Sequence, residues 1–198
     1  MTEVILASGS AARQRMLQAA GLSFHIAVCP VDEAGLRAEL EGDGVVAEQA
    51  ALALAEAKAR TVSLQHPQAL VIGADQLLEH DDRWLEKPAG RPEARAQLQA
   101  LRGRSHRLIS GVVLCRAGLA IWQAVDSADL TMRGFSDRFL DQYLDTAGDA
   151  VTTSVGAYQL EGLGAQLFTA VRGDFFTILG LPLLPLLQAL RDHGALSS

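Results

Sequence analysis

Ala69-Leu70-Val71-Ile72-Gly73-Ala74, closed by Asp75-Gln76, is the stretch that decides the fold. Six apolar or small residues in a row, after the turn His66-Pro67, read as a buried central strand. The flanking segments alternate. Val4-Ile5-Leu6-Ala7 is a shorter apolar run, broken by Ser8-Gly9-Ser10. Residues 13–20 follow as a helix, with Gly21 as its stop. Residues 24–28 read as a strand, 30–43 as a polar, acidic loop or irregular helix, and 45–62 as a long Ala-rich helix.

Beyond the central strand, residues 77–79 and 84–86 predict a small hairpin tipped by Asp81-Asp82. A helix over 92–102 has Pro92 in its first turn. Two long strands over 106–116 and 119–130 join at Ala117-Gly118, and Ser136 opens another helix to about 146. The stretch 156–164 is rich in glycine and reads as a candidate hinge. The chain closes with a helix after Pro182. Strands separated by helices, mixed with strands joined by hairpins, imply an α/β protein with a mixed sheet.

Composition narrows the function. Of 198 residues, 49% are hydrophobic and 20% charged, which is globular rather than disordered. The net charge of -6 argues against a general nucleic-acid binder, and an aromatic content of 5% is too thin for a base-stacking surface. No apolar run reaches the roughly 20 residues of a membrane-spanning helix. No basic region precedes an apolar stretch at the start, so no signal peptide is expected and a cytoplasmic place is. Cys29 and Cys115 read as buried, reduced thiols.

Two stretches carry candidate chemistry. In Leu6-Ala7-Ser8-Gly9-Ser10-Ala11-Ala12-Arg13 a strand enters, small residues turn, and a helix begins. Unpaired N–H groups at a helix start suit a phosphate, with Ser8, Ser10 and Arg13 as added donors. The plainer alternative is a helix cap by Ser10 with Arg13 in solvent. In Gly73-Ala74-Asp75-Gln76, a carboxylate at the end of a buried strand lies where open α/β sheets bind ligands. It could hold a divalent cation or take a proton from water; it could equally be a turn-forming Asp. Lys58, Lys87 and Glu33 each read alone as surface charges, and gain meaning only if the fold gathers them around Asp75. The five histidines show no metal-ligand spacing, and no Gly-x-Ser-x-Gly elbow occurs.

Together these segments resemble the Maf family of nucleotide pyrophosphatases, in order and over nearly the whole chain. The resemblance rests on the Ser8–Arg13 loop, Val31-Asp32-Glu33, Ala57-Lys58-Ala59, Gly73-Ala74-Asp75-Gln76 and Glu86-Lys87-Pro88. Leu101-Arg102-Gly103-Arg104-Ser105-His106, the run from Gly156 to Gly162, and Gly180-Leu181-Pro182-Leu183 complete it.

The resemblance implies a single domain over 1–198, with an elongated mixed sheet, two lobes and a central cleft. It implies hydrolysis of a nucleoside triphosphate to monophosphate and pyrophosphate with Mg²⁺ or Mn²⁺, as house-cleaning of non-canonical nucleotides, in a protein that can form a homodimer. By the same resemblance Asp75 is the general base. Ser8, Ser10, Arg13, Lys58 and Lys87 contact phosphate, and Glu33 and Asp75 hold metal. Ala12, Gln76 and Glu161 select the base; Asp75-Gln76 and Glu161-Gly162 resemble the 7-methyl-GTP branch more than the dTTP and UTP branch, while Ala11 and Ala12 replace the residues usual after Ser10. Glu161 can accept from the amino and imino edge of guanine. Since a protonated Asp75 serves neither role, activity should fall at low pH. Two other readings are a phosphohydrolase releasing orthophosphate and a non-enzymatic nucleotide sensor regulating cell division; the presence of Asp75 argues for the enzyme.

Overall fold

The computed structural model describes residues 2–197. In chain order the strands are β1 (Val4–Leu6), β2 (His25–Ile26), β3 (Leu70–His80), β4 (Arg83–Leu85), β5 (Ser105–Arg116), β6 (Leu119–Met132) and β7 (Phe168–Arg172). The helices are α1 (Ala11–Ala19), α2 (Glu33–Gly42), α3 (Ala47–Gln65), α4 (Arg91–Leu101), α5 (Asp137–Ala147), α6 (Phe175–Ile178) and α7 (Leu183–Asp192). The strands form one seven-stranded sheet in the order β2-β1-β3-β5-β6-β7, with β4 paired to β3. β1 pairs parallel with β2 and β3, while β4 pairs antiparallel with β3 and β7 with β6. The sheet is therefore mixed, as the order of elements implied.

The chain divides into two compact units, each drawn from separate stretches. The first takes Met1–Gln76, Ile109–Asp126 and Gly180–Ser198; the second takes Leu77–Leu108 and Ser127–Leu179. In the first, Ile5, Val71 and Val113 of the sheet pack with Ala55, Ala59 and Val62 of α3. In the second, Leu78 and Leu130 pack with Leu98 and Leu101 of α4, Leu140 and Leu144 of α5, and Tyr158.

The contact that matters most for the site is α3 on the sheet. Ala51, Ala55 and Ala59, all buried, recur at helical spacing and present a flat face. Opposite them β3 and β5 offer glycines. A Cβ on Gly73 would lie 2.7 Å from the Cβ of Ala59, and one on Gly111 would lie 2.8 Å from the carbonyl oxygen of Ala51. Small residues on both sides let the backbones approach to a distance that no larger pair allows.

Several expectations need correction. β3 does not stop at Asp75-Gln76 but runs on to His80 through the buried Leu77 and Leu78. A buried carboxylate is tolerated mid-strand because a lysine neutralises it, as described below. Residues 30–43 are not irregular. Asp32 caps a regular helix, its Oδ1 accepting from the N–H of Gly35 at 2.9 Å. No residue of α2 is fully buried; its apolar stripe is only Leu36 and Leu40, both half-buried, which is a short signal to read. Of residues 24–28 only His25 and Ile26 pair, as an exposed edge. β7 and α6 were not foreseen; from Thr169 onward β7 is exposed and has no buried alternation.

The glycine-rich stretch 156–164 lies inside the second unit rather than at a boundary between units. Gly156 takes a φ of 75°, and a Cβ there would lie 2.6 Å from Leu78 Cδ1, so this glycine serves close packing. Cys115 is buried, but Cys29 is only half-buried. Both hairpins turn on left-handed residues, Asp81-Asp82 at φ 51° and 57° and Ala117-Gly118 at 50° and 79°. No described helix is long and apolar enough to cross a membrane.

Candidate active site

β1 pairs with β3 only as far as Leu6 opposite Ile72. The N–H of Ala7 adds one more bond, to the carbonyl of Ile72 at 2.8 Å, and the chain then leaves the sheet. Past Ile72, therefore, β3 has lost its β1 neighbour. Asp75 and Gln76 sit in this stretch, and the Ser8–Ser10 loop borders it. This is the crevice at the carboxyl end of strands that open α/β sheets use.

Alternation along β3 sends Asp75 to the same face as Gly73, toward α3. There Lys58, next to the close-packed Ala59, extends its Nζ to Oδ1 of Asp75 at 2.6 Å. The same Nζ meets Oε2 of Glu33 at 2.7 Å, from the first residue of α2. One ammonium on α3 thus joins two carboxylates, one from α2 and one from β3. Asp75 is buried, and its Oδ2 has no hydrogen-bond partner among the described residues. Three of the expected residues, Glu33, Lys58 and Asp75, are therefore brought together.

Gln76 turns to the other face. Its Nε2 donates to Oγ of Ser110 on β5 at 3.1 Å. Near it lies Gly180, at φ 98°; a Cβ on that residue would lie 3.7 Å from Gln76 Oε1 and 3.4 Å from Arg13 Nη2. Arg13 is buried rather than solvated. Its Nε donates to the carbonyl of Gly180 at 2.8 Å and its Nη1 to Oγ of Ser8 at 3.0 Å. Burial lowers the pKa of this guanidinium, while Asp75 and then Glu33 act in the opposite direction and favour its charge.

Ser10 caps α1, accepting from the N–H of Arg13 at 3.5 Å, and its own N–H reaches Ser8 Oγ at 3.3 Å. The helix-cap reading of Ser10 thus holds, and the solvated Arg13 that went with it does not. Ala12 is half-buried on α1. Lys87 and Glu161 belong to the second unit, where both are exposed. Ser110 was not singled out from sequence; a lone serine in an apolar strand carries no signal of its own. Gly180 was, as part of a closing motif.

A model of one family, described as "Maf-like protein", matches residues 3–193. The chain belongs to the Maf family. Among curated Maf relatives, the "Nucleoside triphosphate pyrophosphatase" of Paramagnetospirillum magneticum is 57% identical over 97% of this chain and 99% of its own length. That of Rhodospirillum rubrum is 53% identical over 98% and 96%. A Maf relative named "7-methyl-GTP pyrophosphatase", from Mesorhizobium japonicum, is 50% identical over 99% of both chains.

Within this Maf chain the chemistry of the pocket is clear in outline. Asp75 offers one engaged and one unengaged oxygen, Lys58 a cation, and the Ser8–Arg13 loop hydroxyl and guanidinium donors. Among the described residues no three His, Cys, Asp or Glu side chains gather into a metal-ligand cluster. Two carboxylates with hard oxygen donors, Asp75 and Glu33, do suit Mg²⁺ or Mn²⁺. Such ions commonly take one or two carboxylates and complete their shell from substrate phosphates and water. The orphaned Oδ2 of Asp75 fits that use.

Proposed function

We propose that Asp75 is the general base with which this Maf protein cuts a nucleoside triphosphate between its α and β phosphates. The protein is a nucleoside triphosphate pyrophosphatase, a hydrolase. The observation carrying the assignment is the unengaged, buried Oδ2 of Asp75, beside an Oδ1 held by Lys58. A buried acceptor without a partner is costly, and is retained where a ligand or reacting proton will complete it.

In this reading Asp75 takes the proton of the attacking water through Oδ2, while Lys58 keeps the carboxylate oriented through Oδ1. Ser8, Ser10, Arg13, Lys58 and Lys87 bind the phosphates. In-line attack at phosphorus needs little beyond such positioning and the spreading of charge over the phosphate oxygens. Asp75 and Glu33 would hold a divalent cation, Mg²⁺ or Mn²⁺, which when bound neutralises phosphate charge. Ala12, Gln76 and Glu161 select the base, with a 7-methyl-GTP-like nucleotide favoured over dTTP or UTP and house-cleaning as the role. Relatives of 47% and 50% identity that bear the name 7-methyl-GTP pyrophosphatase support that preference. The two units act as one functional domain, able to form a homodimer. Two free cysteines suit a cytoplasmic setting.

The test is a panel of 7-methyl-GTP, GTP, UTP and dTTP with Mg²⁺ or Mn²⁺, scored for the first phosphate product. Pyrophosphate is expected, and Asp75→Asn should lower kcat by roughly a hundredfold or more. Orthophosphate as first product, or a fully active Asp75→Asn, would overturn the reading. A preference for dTTP and UTP would overturn the base assignment alone.

A further inference from the structure

We propose that Lys58 and the divalent cation compete for Glu33, and that Lys58 gives up Glu33, but not Asp75, when cation and triphosphate enter together. The inference rests on the reading of Asp75 and Glu33 as the carboxylates that hold Mg²⁺ or Mn²⁺. Lys58 Nζ lies 2.6 Å from Asp75 Oδ1 and 2.7 Å from Glu33 Oε2. An ammonium has three N–H donors, so two of them are already committed to carboxylates. A divalent cation drawn to the same two side chains meets a charge of its own sign between them.

The two carboxylates do not hold the lysine equally. The side chain of Asp75 is 8% exposed, on a strand pressed against α3 where Gly73 faces Ala59. Lys58 precedes Ala59 in that helix, so the packing of helix on strand carries the Asp75 contact. Glu33 is 48% exposed, at the first residue of a helix with no fully buried residue. Its contact with Lys58 joins two long side chains at solvent, and pairs of that kind hold weakly. Asp75 also has its Oδ2 without a partner, so it can accept a second cation while Oδ1 stays with Lys58. Arg13 cannot make way instead, because Gly180 and Ser8 fix its Nε and Nη1.

The consequence is an order of filling. Lys58 released from Glu33 has two N–H donors to place, and phosphate oxygens suit them. A cation arriving alone supplies no such acceptors, so Lys58 stays on Glu33 and opposes it. A cation arriving with a triphosphate supplies them, and the exchange becomes favourable. Lys58 thus couples metal affinity to the presence of substrate.

The experiment reads Mn²⁺ affinity by electron paramagnetic resonance, without nucleotide, in the wild type, Lys58→Met, Glu33→Gln and the double variant, with thermal unfolding of each. Lys58→Met should tighten Mn²⁺ roughly tenfold where Glu33 is present and several-fold less in the Glu33→Gln background. An equal effect in both backgrounds is the mark of charge acting at a distance and overturns the proposal, as does Mn²⁺ bound by none of the four. If Lys58→Met fails to fold, the wild type serves alone. Lys58 and Lys87 are the two lysines of the chain, so brief acetylation followed by peptide mass spectrometry reports on each. Saturating Mn²⁺ should raise labelling of Lys58 relative to Lys87 several-fold; an unchanged ratio overturns the exchange. A wild type that releases pyrophosphate and shows neither effect leaves the pyrophosphatase reading in place and removes the exchange. If no triphosphate yields pyrophosphate, the pyrophosphatase reading itself has failed, and the exchange goes with it.

Discussion

Lys58 and Asp75 meet, Nζ to Oδ1 at 2.6 Å, across a helix–strand contact in which glycine occupies position 73. The ion pair stands next to that contact, and both of its members depend on it. Ala59 follows Lys58 in the helix, and Gly73 lies two residues before Asp75 on the same face of the strand. What sets the reach of the lysine is the thickness of the layer between the backbones.

Gly73→Ala should therefore damage the site without touching it. The added Cβ meets Ala59 Cβ and backbone, and α3 must shift away from β3. We expect a loss of stability of about 1–3 kcal/mol, as overpacking of a well-packed interior generally gives. A fall in kcat/KM should accompany it, because Lys58 no longer holds Asp75 at the same distance. Urea unfolding and pyrophosphate release check both. Wild-type values in each would show that the close approach is not needed.

Removing the lysine is a different lesion. Lys58→Met leaves the buried carboxylate of Asp75 without its cation, and breaking one side of a buried pair typically costs ~3–5 kcal/mol. The side chain of Lys58 is 14% exposed and Glu33 at its other contact is 48% exposed, so we expect the low end of that range or less. Adding Asp75→Asn to Lys58→Met should restore much of the melting temperature and none of the activity. A double variant less stable than Lys58→Met alone would contradict the pairing.

His106 gives a pH dependence of folding. The ring is buried, its Nε2 lies 2.6 Å from the hydroxyl of Tyr158, and Tyr158 and Phe168 pack against it. Burial, and then nearby His80, push its pKa down to about 4 from 6.5. The folded value lies below the unfolded one, so as pH falls the unfolded chain takes up the proton first. The contribution is whole above about pH 6.5 and is lost progressively toward pH 4, to a total of roughly 3 kcal/mol. His106→Phe should flatten the denaturation midpoint against pH in that window. An equal slope in both proteins would rule out this assignment.

The two thiols should differ in reactivity. Burial, and then Glu56, push Cys115 up to about 11, whereas Cys29 is half-buried and close to solvent. Alkylation of native protein at neutral pH should add one group, at Cys29, with Cys115 modified only on unfolding. Mass spectrometry of peptides after brief iodoacetamide treatment reads this directly, and early labelling of Cys115 would show it to be accessible.

Much of the fold was legible because apolar runs and turn residues mark it locally. The run 69–74, the hairpin turns at Asp81-Asp82 and Ala117-Gly118, and the Ser136 cap all announce themselves within a few residues. The failures share a cause. Asp75-Gln76 looked like a strand end because a polar pair interrupted an apolar run. The lysine that neutralises Asp75 lies 17 residues earlier on another element, and the serine that pairs with Gln76 lies 34 residues later. A solvated Arg13 stayed open as the plainer alternative for the same reason; the carbonyl that receives it is 167 residues away. α2 was unclear because nothing in it is fully buried. The candidate residues could be named from the sequence, but their grouping depended on partners that only folding supplies.

The first unit takes Gly180–Ser198 from a stretch much later in the chain than the Ser8–Arg13 loop it serves. Gly180 supplies the carbonyl that anchors Arg13. In order of synthesis the Ser8–Arg13 loop comes well before Gly180, so Arg13 waits for a segment 167 residues later before it has a seat. A nascent or prematurely terminated chain therefore carries every carboxylate of the pocket and still lacks the anchor for its guanidinium, so truncated translation products should be unable to assemble a working enzyme.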